Sequence, residues 1–253
     1  MKMIRIIKSK ILTLTLATGM AATTASAQPF SSTYDFSLVT ASSGLTDPTT
    51  PPTATGLTFG AFSAGGYVGN PNAGGRFTFQ TNALGSANGI NDFSLFTGSL
   101  DITKYFEVTL TPSVGYTLDV DTIAFTIQRS STGIRSYAVR SSLDGFAANL
   151  AASISPANAN LGVGPGNEFR YLSDSLSSAQ NGSLVTLGAP FDLLAAPVTY
   201  RFYGWNAEAV TGTFSIDNVA FSGSVTPVPE PGPLALLGGF GLLGLVMSTR
   251  RRG

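Results

Sequence analysis

Asp119 and Asp121 stand two residues apart, flanking Val120. On a strand, residues at that spacing share one face, and two carboxylates on one face have two chemical uses. They can hold calcium through oxygen, or, at about 5 to 9 Å apart, serve as the acid and base of glycoside hydrolysis. The plainer reading is a solvated outer face opposite Leu118 and Val120. Tyr203 and Trp205 have a parity opposite to that of Tyr200 and Phe202. If Tyr200 and Phe202 face a core, Tyr203 and Trp205 form an exposed aromatic platform of the kind on which apolar sugar faces stack. The alternative is a strand covered on both sides. Asp217 and Asn218 are weak calcium candidates near the last strand; as a turn pair they would satisfy backbone amides where that strand bends. Glu107, Glu168 and Glu208 add carboxylates with no partner visible in the sequence.

Two absences narrow the chemistry. Without histidine there is no Ser-His-Asp triad, no His-ligated zinc and no imidazole base. Without cysteine, thiol catalysis, iron–sulfur clusters and disulfides are excluded. Lys104 is the one lysine between the two ends, which leaves a Ser–Lys dyad formally open. The sequence implies no cofactor. The net charge of zero hides an asymmetry: residues 28–227 carry seven basic and thirteen acidic side chains. That charge near −6 speaks against nucleic acid or an anionic membrane surface as partner.

The elements that must position these groups are short and alternating, which is the pattern of half-buried strands. Phe106, Val108 and Leu110 alternate with Glu107 and Thr109; Tyr116, Leu118 and Val120 follow the turn at Thr111-Pro112-Ser113. Ile123, Phe125 and Ile127 continue, then Tyr137 and Val139, then Val198, Tyr200 and Phe202, and finally Phe214, Ile216, Val219 and Phe221. Leu57 with Phe59, and Phe77 with Phe79, mark earlier strands. Ala41 to Thr55 reads as a loop, and so does Pro156 to Asn167, where Gly162, Gly164 and Gly166 leave little scope for pairing. Asp144-Gly145 is a strong turn signal, with an Arg140–Asp144 pair expected to fasten it. The expected fold is all-β: one antiparallel β-sandwich over residues 28–226, jelly-roll-like, with an immunoglobulin-like sandwich as the alternative.

Both ends read as addresses. Lys2, Arg5, Lys8 and Lys10 precede an apolar run from Ile11 to Ala22 and a small-residue site at Ala25-Ser26-Ala27. This is a signal peptide over residues 1–27, with cleavage between Ala27 and Gln28. Residues 227–253 hold Val228-Pro229-Glu230-Pro231, an uncharged run from Pro233 to Thr249, and Arg250-Arg251-Arg252. Seventeen helical residues reach about 26 Å, the short end of a membrane span, and the arginines would anchor the cytoplasmic side. Prolines 229, 231 and 233 lack amide protons, so a helix starts no earlier than Pro233 and Glu230 stays extended.

This tail resembles the PEP-CTERM sorting signal of Gram-negative bacteria on Pro229, Glu230, Pro231, the Gly- and Leu-rich span and the three arginines. The resemblance implies a partner, an exosortase-type enzyme of the inner membrane. It also implies a destination at the cell surface or in the extracellular matrix with its exopolysaccharide. Arg129 to Phe146, Tyr200 to Trp205 and Phe214 to Val219 resemble blocks that recur in PEP-CTERM proteins with jelly-roll bodies. No activity comes with them. The expectation is an exported, non-catalytic surface protein that contacts polysaccharide. The alternatives are a carbohydrate-active enzyme using paired carboxylates and a permanently anchored surface module.

Overall fold

Alternation of apolar and polar residues is realised almost everywhere the sequence shows it. The computed structural model describes residues 26–69 and 74–229, and these form fourteen strands and three single 3-10 turns. The strands are β1 (Gln28–Tyr34), β2 (Thr53–Ala54), β3 (Leu57–Phe59), β4 (Ser63–Gly65), β5 (Phe77–Phe79), β6 (Tyr105–Pro112) and β7 (Tyr116–Arg129). There follow β8 (Ser136–Ser141), β9 (Ala152–Ile154), β10 (Leu161–Gly164), β11 (Glu168–Tyr171), β12 (Gln180–Thr186), β13 (Val198–Trp205) and β14 (Phe214–Pro227). In β6 every second residue from Phe106 to Pro112 is buried, because one face lies on the core and the other on water or a covering loop.

Two antiparallel sheets result. One runs β1-β14-β7-β12-β9, with β5 also on β14; the other runs β10-β11-β8-β13-β6-β3-β2, with β4 also on β6. Most consecutive strands from β6 onward cross from one sheet to the other, so neighbours within a sheet are distant in sequence. When the eight principal strands (β1, β6, β7, β8, β11, β12, β13, β14) are numbered in order, the sheets read 1-8-3-6 and 2-7-4-5.

Phenylalanine and tyrosine fill the space between the sheets. Phe106 of β6 stacks on Phe214 of β14 with centroids 4.5 Å apart. Phe125 meets Phe202 edge-on at 5.2 Å, and Tyr200 meets Phe221 at 5.4 Å. Such pairs add about 0.5 to 1.5 kcal/mol each beyond simple burial.

Two departures from the sequence expectation have clear causes. The segment Pro156 to Asn167 is not wholly a loop: β10 pairs with β11 from Leu161↔Tyr171 to Gly164↔Glu168. The glycines suit that strand because larger side chains lie over them; a Cβ at Gly164 would overlap the Arg170 guanidinium, and one at Gly162 would meet Leu172. Near Asp144, Arg140 does not pair with the acid. Its Nε donates to Asn149 Oδ1 at 2.7 Å and its Nη1 to the Phe146 carbonyl at 2.9 Å. Asp144 instead accepts the Ala147 and Ala148 amides, while Gly145 takes a φ of 69°. The turn itself forms, closed by amides rather than by an ion pair.

Phe106 touches Phe77, Phe79 and Phe214 of the facing sheet and Tyr67 in the segment after β4. Phe106→Ala is expected to cost about 3 to 5 kcal/mol. In urea unfolding the midpoint should fall with an unchanged slope; a loss under 1 kcal/mol would mean the core closes over the gap.

Candidate functional site

The last turn of β7 carries a charge into the interior. Arg129 follows Ile127 on the inward side and is 1% exposed; Arg135, just before β8, is fully buried. A buried guanidinium must be paired and hydrogen-bonded, and the surrounding loops supply the partners. Arg129 donates from Nε to the Ser130 carbonyl at 3.0 Å and from Nη2 to Ser131 O, to Glu208 Oε1 and, at 3.4 Å, to Asp174 Oδ1. Arg135 reaches Asp174 Oδ1 at 3.2 Å, the Tyr171 carbonyl at 3.1 Å and the Ile90 carbonyl at 2.7 Å. The two acids come from different places: Asp174 follows β11, and Glu208 follows β13.

The four groups divide the charge unequally. Burial, then the hydrogen bond with Asp174, pushes the Glu208 carboxyl up to about 7, although Arg129 pulls it down. Burial acts on Asp174 too. The hydrogen bond from Glu208, the Gly89 amide and the two arginines outweigh it and hold Asp174 below its ordinary value. Burial and the adjacent Arg129 charge lower the Arg135 pKa, partly offset by the two acids. A neutral Glu208 donating to an ionised Asp174 fits these directions.

Beside this network lies a cavity of about 220 Å³ lined by Arg76, Gln128, Arg129, Ser130, Ser131, Ser177, Thr213 and Ser215. Arg129 Nη1 and Arg76 Nε are buried without a hydrogen-bond partner among the described residues. Neither Asp174 nor Glu208 lines the cavity.

The aromatic platform is corrected. Tyr203 and Trp205 do lie on the face opposite Tyr200 and Phe202, but they are 1% and 6% exposed. They pack with Ala138 beneath Ala83, Leu100 and Tyr105. The cover is the segment between β5 and β6, pinned by Asn206: its Oδ1 accepts the Gly98 amide at 2.9 Å and its carbonyl accepts from Ser86 Oγ at 2.7 Å. Arg135 and Asp174 hold the same segment through Ile90 and Gly89. The aromatic face is therefore an inner face of a third, irregular layer.

The carboxylates at Asp119 and Asp121 follow the plainer reading, on the outer side opposite the buried Leu118 and Val120. A β-bulge leaves Asp121 without a partner, since Val120 faces Gly223 and Thr122 faces Ser222. The chain approaches so closely that a Cβ at Gly223 would collide with the Asp119 carbonyl. Asp119 is occupied as acceptor for the Leu193 amide and Ser224 Oγ, and Asp121 is exposed. Glu107 pairs with Arg201 at 2.9 Å and Glu168 with Arg170 at 3.0 Å. Asp217 and Asn218 sit at a second bulge of β14, where Asn218 has a φ of 48° and its amide donates to Asp217 Oδ1 at 2.7 Å. Among the described residues no group of three or more acids could hold a metal ion.

Of the terminal residues, Ala27 and Gln28 are described, and Gln28 opens β1; Val228 and Pro229 follow β14 directly. Ala25, Glu230, Pro231, Arg250, Arg251 and Arg252 lie outside the described residues, as does the apolar run from Pro233 to Thr249. Among the described residues no helix is long and apolar enough to cross a membrane. The network acids Asp174 and Glu208 were not foreseen as partners of Arg129 and Arg135. The one available signal was two arginines six apart at a strand end in a body with few cations. No protein-family model, curated protein or solved structure matches the chain.

Two outcomes are expected. A carboxyl whose folded pKa lies above its unfolded value of 4.5 stabilises fully below that value and loses the contribution as pH rises through about 7. The Asp174 shift acts in the opposite sense and at lower pH. Glu208→Gln, which keeps the neutral hydrogen bonds, should flatten the fall in melting temperature between about pH 5 and 8; curves parallel to wild type would refute the assignment. Trp205 is the sole tryptophan. Its emission should be blue-shifted and resist iodide quenching, whereas quenching near that of free tryptophan would mean the cover opens.

Proposed function

We propose that the chain is an exported, non-catalytic surface module. In this reading residues 1–27 are a signal peptide, residues 28–226 a jelly-roll sandwich, and residues 227–253 a PEP-CTERM-like sorting tail. An exosortase-type membrane enzyme would recognise Val228, Pro229, Glu230 and Pro231. The body would pass transiently through the inner membrane on its way to the surface or matrix, where it would meet exopolysaccharide.

One observation carries this reading: among the described residues the first strand starts and the last strand stops where the two addresses meet the body. β1 begins at Gln28, the residue after the expected cleavage, and β14 ends at Pro227, the residue before Val228. These strands pair with each other, Gln28 opposite Val225, so both ends of the domain leave from one edge and one end of the sandwich. The Val228 amide still bonds to the Gly115 carbonyl at 2.7 Å, which places Val228 beside the β6–β7 turn. A chain held at a membrane at both ends during export needs that arrangement, and removal of either address would leave the ladder whole.

The jelly-roll assignment, in preference to an immunoglobulin-like one, rests on the 1-8-3-6 and 2-7-4-5 orders, in which first and last strands are neighbours. The non-catalytic reading rests on the acids: Glu107, Glu168, Asp174 and Glu208 are each engaged by arginine, and Asp119 by an amide and a hydroxyl.

Intact mass and C-terminal peptide mapping of protein from surface and membrane fractions of the native host test this. The expected species starts at Gln28 and ends near Pro231. A full tail ending at Gly253, found in the membrane alone, would replace the sorted reading with a permanent anchor.

A further inference from the structure

We propose that Asp174 and Glu208 form a proton-operated latch on residues 83–100, the irregular segment over Tyr203 and Trp205. No residue of that segment is itself buried, yet the two rings beneath it are 1% and 6% exposed. A segment without buried side chains, held down by hydrogen bonds, opens at a lower free energy than the sheets. Its bonds gather at two moorings, one beside each acid. Next to Glu208, the Ala207 amide donates to the Ala83 carbonyl at 2.9 Å, and the Ala207 carbonyl accepts the Gly85 amide at 3.1 Å. At the other mooring Asp174 accepts the Gly89 amide and donates its own amide to Asn91 Oδ1, both at 2.7 Å. Arg135, paired with Asp174, donates to the Ile90 carbonyl and to Asn91 Oδ1 and lies against the Phe93 and Phe96 rings. The two acid side chains meet on one atom, Arg129 Nη2. The carboxyl pair therefore joins the two moorings of the cover.

Two carboxylates on one guanidinium nitrogen, with side chains 11% and 4% exposed, repel each other unless a proton lies between them. The charged groups that face Glu208 are Arg129 at the end of β7, Asp174 after β11 and, beyond Asp174, Arg135 before β8. The cover adds one ionisable side chain, Asp92, which is exposed and held below the ordinary carboxylate range by its hydrogen bonds with Ser94. The chain has no histidine. Between pH 5 and 8 Glu208 is thus the member of the cluster that changes charge: burial and then Asp174 raise its carboxyl to about 7, while Asp174 stays ionised. Neutral Glu208 donates to Asp174 and closes the pair. Ionised Glu208 keeps Arg129 but sets a second negative charge against Asp174, and the cluster yields on the side that buries least, the cover. The folded value lies above the unfolded 4.5, so the latch is complete below that value and is lost as pH rises through about 7.

Amide hydrogen exchange of the full chain, followed from pH 5 to 8 and corrected for the intrinsic pH dependence of exchange, tests the proposal. Protection of the cover amides at Gly85, Gly89 and Gly98 is expected to fall about tenfold or more across this range. Protection along the β7–β14 ladder should fall by a smaller factor, because the latch frees the cover and leaves the sheets closed. In Glu208→Gln, which keeps a neutral donor toward Asp174, the cover's protection should be level with pH. Cover protection that does not change with pH in the wild type would overturn the proposal. So would a fall by the same factor in cover and ladder, since that marks global rather than local opening, or an undiminished fall in Glu208→Gln. The wild-type series separates local from global opening without any variant, so the proposal stays exposed to refutation even if Glu208→Gln folds poorly.

Discussion

Everything in this fold waits on its last strand. β14 is hydrogen-bonded to β7 along nearly its full length on one edge, and to β5 and then β1 on the other. It joins the first strand of the chain to the middle one. Until residues 214–227 are in place, β1 has no partner within its sheet and β7 keeps one edge open. Ladders between strands so distant in sequence close large loops before they return any stabilisation. Two bulges in the β14–β7 ladder, one in each strand, fit these strands to each other. One turns the chain at Asp217-Asn218, and the other admits Asp121, with Gly223 as the only side chain small enough at that approach.

The second constraint is the buried charge at the other end of β7. Two guanidinium groups within one polar cluster repel each other, and each loses hydration. Asp174 touches both, which makes it the group that lets the arginines coexist. Its backbone does further work: the Asp174 amide donates to Asn91 Oδ1 at 2.7 Å, and its Oδ2 accepts the Gly89 amide at 2.7 Å. The irregular segment over β13 is thus held by the same residue that balances the interior charge. Burial of Trp205 and neutralisation of Arg129 are two results of one cluster.

Local pattern was legible in the sequence, and distant pairing was not. The alternation at Phe106–Leu110, Ile123–Ile127 and Val198–Phe202 declared strands with one inward face, and those strands are present. Periodicity also separated Tyr200 from Tyr203 correctly. It could not say that residues 83–100, which lack alternation, would lie over Tyr203 and Trp205, because a cover without regular structure leaves no periodic trace. The Asp119/Asp121 pair keeps its plainer reading, an outer face opposite the buried Leu118 and Val120; what the sequence could not show is the bulge at Asp121, where Gly223, a hundred residues away, admits the close approach. Asp174 and Glu208 were invisible as partners because only the crossing of chains between the sheets brings them to Arg129.

The geometry of β14 relates the cavity to the tail. Ser215 lines the cavity near the start of the strand, and Val228 follows its end. Twelve residues of strand lie between them, so the two points are about 40 Å apart at the usual rise. Gln28 and the turn at Ser113–Gly115 are at the tail end, where Val114 is fully exposed. If the tail seats this domain at a membrane, before or without release, then the end bearing Val114 faces the bilayer and the end bearing Arg76 faces away. The strand that closes the fold would then also set the distance between the address and the cavity.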